Sequence, residues 1–455
     1  MSSRLPREHL ALVFRHGDRT PIFNSHEPLG LESTLEAAAW ALSLTTKTFN
    51  RNLESRFPVD GSNPASTRDK LGLGKTFGCL TSMGALQMRR LGRIISPNHP
   101  ITPRRVWSSN FTRTQFSLQC LLAGLAPLAT NAHIHVGREI LNIWGTDPTL
   151  RRLLKSGGAI GTDITSRVTR EEEEAKRVFT NAIPAFAYQI RPFSWMSALD
   201  FVMCREGKTG GGGILRGRPN PAKQLELFAE MCQGDGGGGD VISTEKFKSA
   251  MSKVFDCPFA DAELLNRLID RDQSGTIDLA EMKLFFESIR LPNPSGGVTE
   301  RELAEASKVV ERAVCQRFDY ILSQPAIRRI SCGGVAKTIL DGLDEALRSP
   351  QPEESTTIDL YSAHDVTLIP LIKHLGIWNG TRNDWPGVSS ALLFRFAGNR
   401  VKVQYWEGVR GGTSGLEAHT MQLKPVDLKS FEGGSGGDGD GGVELDSFRR
   451  WAQQL

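Results

Sequence analysis

The heptad Arg15-His16-Gly17-Asp18-Arg19-Thr20-Pro21 sets two arginines four positions apart around a histidine. Guanidiniums so placed can clamp phosphate oxygens with paired hydrogen bonds. An imidazole between them can attack phosphorus and carry the phosphoryl group covalently. Gly17 permits the tight backbone turn that such a cradle needs. For Arg-His-Gly alone, the capping of a strand end is the simpler account. Two further segments shift that balance. Tyr361-Ser362-Ala363-His364-Asp365 supplies a second histidine and a carboxylate, a phosphate donor beside a proton source. Ser108-Ser109-Asn110-Phe111-Thr112-Arg113-Thr114 supplies a third arginine. Each reads alone as a solvated loop or a helix start; together they argue for one site.

The elements around these segments fit that site. His9–Phe14 is short, continuous and apolar, which predicts a buried strand ending at the heptad. Val106–Ser108 predicts a strand feeding a helix from Thr112 to Leu125, and Ile358–Ser362 a strand feeding a helix over Val366–Leu375. Each reactive segment thus falls between the carboxyl end of a strand and the start of a helix. That is where open α/β sheets bind ligands and where helix dipoles favour anions. Residues 33–50 carry helical patterning, and 84–94 predict an amphipathic helix with Thr81 as its N-cap. Leu392–Phe396 and Val401–Tyr405 predict a hairpin around Gly398-Asn399. Strands alternating with helices define an α/β core.

Composition narrows the class. A net charge of +4 over 455 residues is too small to call for nucleic acid or an anionic membrane. No stretch approaches the length of a transmembrane segment, and the apolar run LALVF near the start is too short for a signal-peptide core. The seven cysteines are scattered without CxxC spacing, which reads as reduced thiols in a cytoplasmic protein. Glycine-rich stretches at 209–213, 236–239 and 433–442 read as flexible loops or linkers.

In combination these motifs resemble the histidine acid phosphatases. RHGDRTP at 15–21 is similar to the family's signature. Leu80-Thr81, Gly84, Gln87 and Leu91-Gly92 are similar to its following helix, Arg113 with LLAGL at 121–125 to its third-arginine motif, and YSAHDVTLIPLIKHLGI at 361–377 to its distal block. The resemblance covers 1–205 and 297–455 and implies one phosphatase domain in two parts. It implies His16 as nucleophile, Asp365 as proton donor, and Arg15, Arg19, Arg113 and His364 as phosphate ligands, with no cofactor for catalysis. Within the family, Asn110 and the block AHDVTLIPLIKHLGIW at 363–378 lie closest to its lysophosphatidic acid phosphatases. The implied substrate is a lysophospholipid or related small phosphomonoester; the same catalytic pieces also serve inositol phosphates. That branch also admits a mitochondrial address.

Residues 219–291 depart from the family. Asp270 to Glu281 forms a complete EF-hand loop, with oxygen ligands from Asp270, Asp272, Ser274, Asp278 and Glu281, a backbone carbonyl from Thr276, and Gly275 at the sixth position. An acidic turn between helices is the plainer alternative. Asp235 to Lys246 reads as a degenerate partner loop, with Ile242 at its central apolar position but Lys246 where a bidentate glutamate belongs. The expected architecture is therefore a mixed sheet flanked by helices, with a helical cap and an inserted EF-hand pair holding calcium.

Several features take the ordinary reading. His133 and His135 flank Ile134 on a strand, and Glu171–Glu174 reads as a solvated helix start. Trp195, Met196 and Trp378 read as core, or as the wall of a lipid-accommodating cleft.

Overall fold

The computed structural model describes residues 8–25, 27, 33, 36–37, 40, 44–45, 47–60, 76–96, 101–125, 132–137, 139–150, 152, 169–205, 241–255, 266–267, 269–270, 272–278, 280–281, 297–348, 356–378, 380, 385–408, 424–426 and 442–455. Strand β1 (Glu8–Arg15) is buried along almost its whole length because it lies inside a sheet covered on both faces. Leu10, Leu12 and Phe14 point into one core, Ala11 and Val13 into the other. Each fully buried leucine or phenylalanine there contributes about 1.5–3 kcal/mol.

Among the described residues the sheet has nine strands. On one side of β1 run the parallel strands β7 (Thr356–Ala363), β3 (Ile101–Ser108), β4 (Ile134–Val136) and β2 (Val59–Asp60). On the other side lie the antiparallel hairpin β8 (Ala391–Ala397) and β9 (Arg400–Trp406), with β10 (Lys424–Pro425) and β11 (Val443–Glu444) paired to β9. Gly398 turns the hairpin at φ +57°. The sheet is mixed and the fold is α/β.

Helices α2 (Ser82–Ile95) and α3 (Thr112–Leu125) cover one face, and α1 (Lys47–Arg56) packs on α3. The other face is covered by helices that include α4 (Arg170–Ala182), α5 (Trp195–Arg205), α7 (Glu300–Ser323), α8 (Pro325–Arg348), α9 (Asp365–His374) and α10 (Leu445–Gln454). Between α5 and α7, helix α6 (Thr244–Phe255) follows β5 (Val241–Ser243), which pairs with β6 (Thr276–Asp278) in a separate two-stranded sheet. Helix α6 packs against α1. No helix among the described residues is long and apolar enough to cross a membrane.

Most expected elements appear within a few residues of their predicted bounds, but two readings change. The helical pattern over 33–50 is interrupted: Leu44 bridges to Thr81, and a helix runs from Lys47. Glu172 is not solvated; it closes the capping box on Thr169 and is buried against Arg317. Trp195 and Trp378 belong to the core, whereas Met196 is exposed. His133 and His135 are exposed beside Asp60, while Ile134 is buried beneath them. Much of 219–291 and most of the three glycine-rich stretches lie outside the described residues.

Candidate active site

The three reactive segments meet at the carboxyl ends of β1, β7 and β3, which are neighbours in the sheet. Arg15 ends β1, and His16 follows it with its backbone N–H bonded to the carbonyl of Ala363 at the end of β7. His364 is the N-cap residue of α9 and Asp365 its first residue. Arg113 is the second residue of α3. The imidazoles of His16 and His364 stand 5.7 Å apart, edge to face.

The turn at 16–20 is held from below by helix α2, which explains the Thr-x-x-Gly-x-x-Gln spacing in physical terms. Thr81 caps the helix by accepting from Gly84 N, and its hydroxyl donates to Asp18 Oδ2 at 2.8 Å. Gln87 Oε1 accepts from Asp18 N at 2.9 Å, and Ser117 Oγ from Gly17 N at 3.1 Å. Gly17 and Gly84 pack backbone to backbone. A Cβ on Gly84 would stand 2.2 Å from Asp18 O, so only glycine fits. Asp18 is buried and ties this turn to helix α2.

The tautomer of His16 follows from its partner. Nδ1 lies 2.8 Å from the Gly17 carbonyl, which can only accept, so Nδ1 carries the proton and the Nε2 lone pair is free. Its backbone carbonyl accepts from Ser389 N, a buried serine at φ +60°, and this fixes the main chain of His16. Burial and then the fields of Arg113, Arg15 and Arg19 hold His16 well below the usual histidine range, and burial with Arg113 does the same to His364. Both shifts favour the neutral imidazole. Ser109 Oγ lies 2.9 Å from His364 Nε2, which leaves Nδ1 of that ring for another partner.

Two of the arginines are each held by a carboxylate and a carbonyl. Arg15 Nη2 meets Asp365 Oδ2 at 2.9 Å, and Arg15 Nη1 donates to the Pro386 carbonyl. Arg19 pairs with the buried Asp200 of α5 and donates to its neighbour Thr20 O at 2.9 Å. Arg113 lies over the ring of Phe111, 4.4 Å from its centroid. The Nε atoms of all three arginines are buried without a hydrogen-bond partner. Burial and the nearby Arg19 lower the Arg113 guanidinium to about 9, whereas Asp200 raises Arg19 against the effect of burial. Such a cluster of unpaired donors is costly unless an anion completes it. Burial favours the neutral form of Asp365, but Arg15 and His364 outweigh it and hold the group below the usual carboxylate range. Trp385 Nε1 donates to Asp365 Oδ2 at 3.3 Å.

All six expected residues of the phosphate site converge. Reading the sequence did not find Asp200 or the role of Trp385. The signal for Asp200 was a single carboxylate inside the apolar run of α5, WMSALDFVMCR, which buries it and so demands a partner.

Carboxylate oxygens of Asp270, Asp272 and Glu281 form a second cluster, all within 4.8 Å of one another. Gly275, at φ +76°, and Ser274 donate backbone N–H groups to Asp270. Ser274 Oγ is bonded to Thr276, and Asp278 Oδ1 accepts from Glu281 N. The donors are oxygen atoms, as a hard divalent cation requires. Ile277 pairs with Ile242, the central apolar residue of the preceding segment, in the β5–β6 ladder. Residues 235–240 of that segment lie outside the described residues.

No protein-family model and no curated protein matches the chain. Among solved structures, the apo phytase of Hafnia alvei is similar at 16% identity and TM-score 0.46, over 100% of this chain and 97% of that one. The Citrobacter braakii phytase is similar at 15% identity and TM-score 0.44, over 99% and 98%. The multiple inositol polyphosphate phosphatase of Bifidobacterium longum, in complex with phosphate, is similar at 11% identity and TM-score 0.33, over 89% and 87%.

Proposed function

We propose that the chain is a phosphomonoester hydrolase working through a phosphohistidine on His16. The observation that carries this reading is the convergence of a free, neutral Nε2 lone pair with three buried arginines whose Nε–H groups lack partners. His16 Nε2 attacks phosphorus and the ester oxygen leaves in line; water then attacks the phosphohistidine and releases inorganic phosphate. Arg15, Arg19, Arg113 and His364 hold the equatorial oxygens, where transition-state charge spreads. Asp365 protonates the leaving alkoxide and later takes a proton from water. In the resting site Asp365 is ionised because Arg15 faces it. A bound phosphate dianion offsets that arginine, so the carboxylate takes up its proton as substrate binds.

The finer reading is a lysophosphatidic acid phosphatase, in keeping with the sequence resemblance to the type 6 enzyme. Trp385, bonded to the proton donor, stacks edge-on with Phe318, which packs on Trp144, so the leaving-group side of the site is backed by aromatic rings. The neighbouring cations Arg317 and Lys373 are already paired, with Glu172 and Asp319. A polyphosphorylated inositol needs free cations there, whereas a single phosphate on an apolar body does not. The loop at 270–281 is proposed to bind calcium, supported by its oxygen donors and its pairing with β5.

The experiment is phosphate release from lysophosphatidic acid, from inositol hexakisphosphate and from an aryl phosphate, with calcium and with chelator. Asp365→Asn should lose about 10²–10⁴-fold on the lipid and far less on the aryl ester, whose phenolate leaves unaided. Equal losses on both would remove Asp365 as the acid. Turnover of the inositol phosphate alone would keep the chemistry and move the substrate.

A further inference from the structure

We infer that Asp200 is the positioning residue for Arg19, through which helix α5 forms part of the phosphate cradle. This rests on the phosphatase reading above. Asp200 is buried, sits in an otherwise apolar helix, and uses both carboxylate oxygens on the reactive turn. One oxygen takes the Arg19 Nη2 donor; the other accepts from Ile22 N at 2.9 Å, three residues further along. One helical turn later on the same face, Cys204 Sγ lies 3.8 Å from Arg19 Nη1 and 3.7 Å from the Arg19 carbonyl. Arg19 is thus gripped by α5 through its side chain and its main chain, and only its Nε side is left for a ligand.

The geometry has a directional consequence. A guanidinium is a planar fork, and fixing one edge aims the other. With Asp200 in place, the rotational freedom of Arg19 is already spent before phosphate arrives, and the donor meets the equatorial oxygen as its charge builds. The carboxylate itself is a like charge near the phosphate and does not favour ground-state binding. Its removal should therefore lower kcat without raising KM. A part that only supported the fold would show no such split.

The test is a double-mutant cycle of Arg19→Ala and Asp200→Asn, assayed with an aryl phosphate. Asp200→Asn alone should lower kcat about ten-fold or more while KM stays level or falls. In the Arg19→Ala background the same change should do nothing further. Asp200→Glu, which keeps the charge, should retain more activity than Asp200→Asn, and it serves as the comparison if the amide variant folds poorly. Multiplicative losses in the double variant, or full kcat in Asp200→Asn, would overturn the proposal. The pairing is also read from the coupling of the same four proteins in urea unfolding. An inactive wild type would then overturn the phosphatase reading while the pairing is judged on that coupling.

Discussion

Strands β1 and β7 carry a histidine–aspartate cluster at each end, and the two ends are built differently. At the amino end, His9 Nδ1 bonds Thr357 Oγ1 at 2.9 Å, and Nε2 faces Asp359 Oδ2 at 3.6 Å. Asp359 is fully buried and also accepts from Arg105 N and the Tyr361 hydroxyl. At the carboxyl end, three arginines and two imidazoles face Asp365 and Asp200, and the arginine Nε donors have no partner. Both clusters join histidine to aspartate, and the carboxyl end adds three arginines. The difference lies in degree: at the amino end the buried carboxylate has donors around it and His9 Nε2 is left without a hydrogen bond, while the carboxyl end leaves three arginine donors to spare. A site that binds an anion must keep that surplus.

The comparison breaks most plainly at His16, the proposed nucleophile. His16→Ala should cut turnover by at least about a thousand-fold, while the variant still binds inorganic phosphate through its arginines. Calorimetric titration beside the kinetic assay checks both halves, and residual turnover near wild type would end the phosphohistidine mechanism. At the closed end the signs reverse. Asp359→Ala should leave kcat unchanged and cost about 1–3 kcal/mol of stability, because it strands buried donors. Urea midpoints would show it; an activity loss with normal stability would count against the division drawn here.

The smallest effect is in the pH dependence of stability. His16 and His364 are depressed in the folded protein, so in mildly acid solution the unfolded chain binds protons that the folded site refuses. Stability should therefore fall as pH drops through the unfolded value near 6.5. Asp365, also depressed, adds a further loss that begins as pH falls through the unfolded carboxylate value of about 3.9 and is complete below its own lowered folded value. Saturating phosphate should flatten the upper part of the slope, and so should His16→Ala. Melting temperatures between pH 7 and 5 decide it; a slope identical in the wild type and the variant would assign the effect to other groups.

Much of this site is legible in the sequence because its chemistry is contiguous. Arg15, His16 and Arg19 lie within five residues, and His364 and Asp365 are adjacent. The strands that carry them are short apolar runs, which periodicity finds. Partners across the fold were harder to see. Asp200 is 181 residues from Arg19, and nothing in its local pattern names the arginine. Glu172 was misread for a related reason: a run of four glutamates suggests a solvated face, but the capping box and Arg317 draw one of them inward. The break at Leu44 was invisible because its bridge to Thr81 comes from another segment.

Strand β7 has a consequence for how the protein is made. It lies between β1 and β3, yet its first residue, Thr356, is made long after β3 ends at Ser108. While the chain is synthesised at about 5–20 residues per second, β1 and β3 wait with exposed edges until β7 arrives between them. Arg15, Arg19 and Arg113 exist throughout that interval, but His364 and Asp365 do not. The nascent chain therefore holds a set of anion-attracting cations without the histidine and carboxylate proposed to complete the site, and it depends on whatever guards open sheet edges until β7 emerges.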